Sequence, residues 1–145
     1  MSNNPDRSWL KLAVATALSG LNVNALRAAL GDADAIVSAS ATALKTAGLT
    51  ERQRSVLAAV PDALLDDIVR WLEEPGHAFI SIDDTEYPAS LHSLVDAPAG
   101  LFVDGDSSLL SHPSLAIVGS RNPTAGGVDT ARQFAGHLAA QGLGI

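Results

Sequence analysis

The residues best suited to chemistry lie in one stretch, LAIVGSRNPTAGG at positions 115–127. An apolar run gives way to a glycine, a hydroxyl and an arginine, then to a proline, a threonine and two further glycines. A loop of this kind between a strand and a helix presents free backbone N–H groups beside the positive end of the helix dipole, where anions bind. Gly119, Gly126 and Gly127 allow close approach of a ligand and the positive φ that a concave amide nest uses. Ser120 and Thr124 add hydroxyl donors, and the Arg121 guanidinium can fork onto a phosphate or stack on a base. The same residue types also build plain strand-to-helix turns with a solvated arginine, so phosphate binding and a structural turn both stand on the residues alone. The spacing fits neither G-x-G-x-x-G nor G-x-x-x-x-G-K-[ST], and no lysine follows the glycines, which removes generic dinucleotide and ATPase chemistry.

Other constellations are weaker. Asp83 and Asp84 are adjacent in a strand-like segment, so their side chains point to opposite faces and read as a solvated strand end. His77, His92, His112 and His137 have no metal-ligand spacing and the chain has no cysteine, so neither a metal site nor a cofactor is expected. Ser120 lacks both a base and a G-x-S-x-G elbow, which leaves no catalytic residue to assign. Tyr87, before Pro88, reads as a packing anchor. Lys45, Arg52 and Arg54 read as a solvated face.

The elements that must position the glycine turn divide by composition at Pro75-Gly76. Before it, alanine and leucine dominate, and the spacing predicts five or six short helices: 5–19 ended by Gly20, a second capped by Asn22 or Asn24 and stopped by Gly31, turns over 34–38 and 41–47, a capping box at Thr50 and Gln53, and a last helix after Pro61 with Asp62 as its cap. Leu64, Leu65, Ile68, Val69 and Leu72 form the buried stripe of that last helix. After the boundary, HAFISIDD and GLFVDG read as strands, with an ordered connection and a short helix between them. LAIVGS has the composition of a strand buried on both faces of a parallel sheet. A helix from 127 or 129 to 140 and the start of another strand at 143–145 complete one βα unit of a doubly wound fold, so the chain is expected to be a fragment of a longer protein.

With 145 residues and 47% hydrophobic content, the chain can build a core. Its formal charge of −7 offers no global attraction to polyanions, and any nucleic-acid site must be local. Residues 76–145 carry only Arg121 and Arg132 against seven carboxylates, a net of −5, too few cations for a strong counterion-release contribution. The segment WLKLAVATALSGL is interrupted by Lys11 and recurs at helical spacing, which reads as an amphipathic core helix rather than a secretory leader. No run of eighteen apolar residues occurs, and no membrane partner is expected.

Tyr87-Pro88, Leu91, Asp96, Pro98, Leu101-Phe102 and Gly105, followed by Ile117-Val118-Gly119-Ser120-Arg121 with Thr124, resemble in order and spacing the DNA-processing protein A (DprA/Smf) family of bacteria. The resemblance covers roughly 79–145. It implies a SAM-like or helix-hairpin-helix-like helical module at 1–75, followed at 76–145 by the incomplete opening of a Rossmann-type domain, an α plus α/β architecture. It further implies a cytoplasmic protein without a catalytic step that binds single-stranded DNA, self-associates at full length and helps load the RecA recombinase during natural transformation. Gly119, Ser120, Arg121 and Thr124 match the family's turn and are the candidate strand contacts, although the chain by itself is expected to bind DNA weakly or not at all. The rival class is a Rossmann-like enzyme related to the phosphoribohydrolases, which also places a glycine-rich loop against a phosphate.

Overall fold

A computed structural model describes residues 6–145. Six helices come first: α1 (Arg7–Ser19), α2 (Val23–Leu30), α3 (Ala33–Ser38), α4 (Ala41–Thr46), α5 (Glu51–Ala59) and α6 (Asp62–Leu72). Local chemistry sets their ends. Asp6, Asn22, Asp32, Ser40 and Thr50 each accept a backbone N–H of the following first turn through a side-chain oxygen. Gly20 closes α1 at φ 63°, a left-handed conformation that costs a side-chain-bearing residue about 1–2 kcal/mol. The expected first helix reaches back to Pro5, which lies outside the described residues.

One expectation differs at α6. Pro61, not Asp62, occupies the capping position and makes no side-chain cap, while Asp62 is the first helical residue. A carboxylate there still sits favourably at the positive end of the helix, and Arg7 lies 3.9 Å from it, with a closer contact of 2.8 Å to Asp66 one turn on.

The chain then forms β1 (His77–Ser81), a short helix α7 (Ala89–His92) and β2 (Gly100–Asp104). The two strands pair antiparallel, His77 opposite Asp104 through Ser81 opposite Gly100. Phe79 faces Phe102 across the ladder, their ring centroids 5.0 Å apart. Helix α1 packs against α3, α5, α6 and β2, which places it at the centre of this part. Leu10, Leu12, Leu21, Val23, Leu26, Ile36 and Ile82 are its most deeply buried large side chains. Tyr87 joins the core as the sequence suggests, and its hydroxyl donates to the Pro98 carbonyl at 2.8 Å.

Beyond a 3₁₀ turn (Ser107–Ser111), helix α8 (Ala125–Ala140) is the last element. The buried strand expected at 115–120 does not form, and Leu115, Ile117 and Val118 are exposed. A parallel strand exists only through its neighbours, and this run has a single rung: Ser114 bridges Gly144 in parallel, with Leu115 N–H donating to Gly144 O and Gly144 N–H to Pro113 O, both at 2.9 Å. That bridge on either side of α8 is all that the described residues contain of the expected βα repeat. The architecture is therefore helix-rich α+β with a two-stranded antiparallel sheet.

Packing divides the chain into two units, the first ending at Ser107 and the second Ser108–Ile145. The first unit continues past the compositional change at Pro75-Gly76 because Ile80, Ile82, Ala97 and Ala99 are buried in the same core as the helices.

Candidate functional site

The glycine turn belongs to the second unit, and α8 positions it. Thr124 caps α8, its Oγ1 accepting the Gly127 N–H at 3.1 Å. The helix thus starts at Ala125, earlier than the spacing suggests, and takes Gly126 and Gly127 into its first turn. Neither adopts the positive φ expected of an amide nest, because the helical ladder holds them in the right-handed region. Gly119 has no positive φ either. The chain bends instead at Ser120, whose hydroxyl accepts the Asn122 N–H at 3.2 Å and donates to the Asn122 carbonyl at 3.3 Å, a side-chain turn that needs no left-handed residue.

The anion-binding elements that remain are the free first-turn amides of Ala125 and Gly126 and two hydroxyls already fixed in place. Added Cβ atoms at Gly119 or Gly126 would meet nothing within 4 Å, so the backbone is open to a ligand at both positions.

These groups surround one depression of about 780 Å³, lined among others by Ile117, Gly119, Ser120, Thr124, Val128 and Arg132. Of the four sequence candidates, it brings together Gly119, Ser120 and Thr124. Arg121 is exposed and is not among the lining residues. Arg132 is a wall residue that sequence reasoning passed over as a site. Its signal was present in the spacing, since Thr124, Val128 and Arg132 succeed one another at four-residue intervals along one face of α8. Arg132 lies 4.0 Å from Asp129, an exposed pair one turn apart.

Charge follows the packing division rather than the compositional one. The second unit holds Arg121 and Arg132 against Asp129 alone, a formal +1, which leaves −8 on residues 1–107. The −5 counted over 76–145 therefore comes from six carboxylates that belong to the first unit. Among these, Asp83 pairs with Arg27, Asp84 accepts from the Ser81 N–H and hydroxyl at 2.6 and 2.8 Å, and Asp104 lies 3.4 Å from the His77 ring. Among the described residues no group of three His, Asp or Glu side chains is arranged to hold a metal ion. No described helix is long and apolar enough to cross a membrane.

Residues 78–145, the strands, the glycine turn and α8, match the family described as DNA recombination-mediator protein A. This segment belongs to the DNA-processing protein A family. The chain is 36% identical over 105 residues to Protein Smf of Escherichia coli strain K12, a match that covers 72% of this chain and 28% of that protein. It is 41% identical over 75 residues to DNA processing protein DprA of Bacillus subtilis strain 168, covering 51% of this chain and 24% of the relative. The chain thus spans about a quarter of the length of the curated relatives it matches. No solved structure matches it.

Proposed function

We propose that this chain is part of a cytoplasmic recombination mediator that binds single-stranded DNA and helps load RecA on incoming strands, with no chemical step of its own. The observation that carries the reading is the family's glycine turn opening into a depression in the one unit of positive formal charge. Gly119, Ser120 and Thr124 are the contacts to the strand's backbone: amides of the first turn of α8 and two oriented hydroxyls meet a phosphate oxygen. Arg121, exposed beside the depression, stacks on a base or forks onto the next phosphate. The helices of 1–75 serve as a SAM-like module, and 76–145 open a Rossmann-type domain whose remaining surfaces carry self-association and the RecA contact.

Fluorescence anisotropy with labelled oligo-dT and a duplex of equal length tests this, using the 145-residue chain and the complete natural protein side by side. The complete protein is expected to prefer the single strand, and Arg121→Ala to weaken that binding by about tenfold or more, the scale of one lost stacking partner. The 145-residue chain is expected to bind more weakly. Equal indifference to both oligonucleotides at low salt sinks the reading and directs the search to phosphorylated nucleosides, the substrates of the phosphoribohydrolase class.

A further inference from the structure

We propose that Arg132 is a second backbone-contacting cation of this site and that Asp129 holds it in reserve, the ion pair exchanging for a phosphate when a strand enters the depression. The inference rests on the single-strand reading given above. Arg132 lines the depression beside Gly119, Ser120 and Thr124, whereas Arg121, the arginine of the motif, does not. The two arginines therefore approach a bound strand differently: Arg132 reaches a phosphate placed over the first turn of α8, and Arg121 meets the strand outside that space.

Asp129 is the only acidic side chain of the unit, and it stands one helical turn from Arg132. At 4.0 Å, with both side chains more than half exposed, this is a loose, solvent-screened pair. A phosphate offers the same guanidinium a bidentate partner, and the first-turn amides of Ala125 and Gly126 add donors to its remaining oxygens. Displacing Asp129 leaves its carboxylate in water, where it was already largely solvated, so the exchange demands no burial of charge.

This arrangement assigns separable signatures. A contact to the sugar-phosphate backbone is blind to base identity and appears in the salt dependence; each neutralised phosphate of a single strand contributes about −0.7 to the slope of log K against log salt. The test is anisotropy of oligo-dT and oligo-dA over a salt series with the complete natural protein, its Arg132→Gln, Asp129→Asn and doubly substituted forms, and Arg121→Ala. Arg132→Gln is expected to make the slope shallower by about 0.7 and to weaken both oligonucleotides by the same factor. Asp129→Asn is expected to strengthen binding severalfold at low salt, a gain that fades as salt rises and disappears in the Arg132→Gln background.

A slope unchanged by Arg132→Gln, or an Asp129→Asn gain that survives without Arg132, overturns the proposal while a loss with Arg121→Ala leaves the single-strand reading standing. Absence of single-strand binding by the unsubstituted protein overturns both. Both positions are exposed, and circular dichroism of each variant separates lost contact from lost fold.

Discussion

Tyr87 is the chain's only tyrosine, and burial pushes its phenol above the ordinary value of 10.0. Its hydroxyl donates to the Pro98 carbonyl, so the neutral form is also the form that makes the hydrogen bond. In the unfolded chain the phenol ionises near pH 10, while the folded chain keeps the proton to higher pH. Native molecules thus bind more protons than unfolded ones in that window, and stability falls as pH rises through it. Tyr87→Phe is expected to cost about 1 kcal/mol at neutral pH, the net worth of a buried hydrogen bond, and to flatten the decline above pH 10. Urea titrations at neutral and alkaline pH check the stabilities, and tyrosinate absorbance reports the ionisation without interference from any other tyrosine. An equal alkaline decline in the phenylalanine variant refutes the assignment.

At the scale of elements, the sequence was most legible where side-chain spacing fixes a cap, although the caps of α6 and α8 fell one or more residues from their expected places. Thr50 and Gln53 form the capping box their spacing announces: Thr50 Oγ1 accepts the Gln53 N–H, and the Gln53 amide oxygen accepts the Thr50 N–H. Gln53 Nε2 also reaches the Gly20 carbonyl at 3.3 Å, which ties the start of α5 to the end of α1. Thr50→Ala is therefore expected to cost about 1 kcal/mol in chemical denaturation, and Gln53→Ala to affect both helix ends.

The β1–β2 ladder holds a sharper case. A Cβ at Gly100 would run into the Phe79 ring and approach the Ile80 carbonyl to 3.1 Å, so Gly100→Ala forces the ring to move and is expected to cost about 1–3 kcal/mol in the same measurement. Nothing in the letters GLFVDG marks that approach, because it depends on which strand lies opposite. The same physics accounts for the missed strand at 115–120. An apolar run records a capacity to be buried, whereas hydrogen-bonded neighbours decide whether it becomes a strand, and this run has one rung. In the candidate site, residue types were readable while conformation was not. Thr124 capped α8 early enough to draw Gly126 and Gly127 into it, and only the resulting helix face reveals Arg132 as a wall residue.

At the scale of the molecule, the two units differ in how their backbones are protected. Every buried hydrophobic residue, from Trp9 to Ala99, belongs to the first unit; α8 buries none, and Val118 and Phe134 remain 89% and 61% exposed. Local opening is opposed mainly by the apolar surface it would expose, so a helix with little buried area opens at small free-energy cost however well it is capped. Amide exchange of the native chain is accordingly expected to be slowest around Leu10, Leu12 and Leu26 and fast throughout Ala125–Ala140, with the change falling near Ser107 rather than at Pro75-Gly76. Added oligo-dT in the complete natural protein is expected to slow exchange selectively in the first turn of α8, since a phosphate held by those amides must leave before they open. Uniform protection across both units would show that α8 is held by more than its own ladder, and slowing confined to residues 1–75 would move the strand-binding site away from the glycine turn altogether.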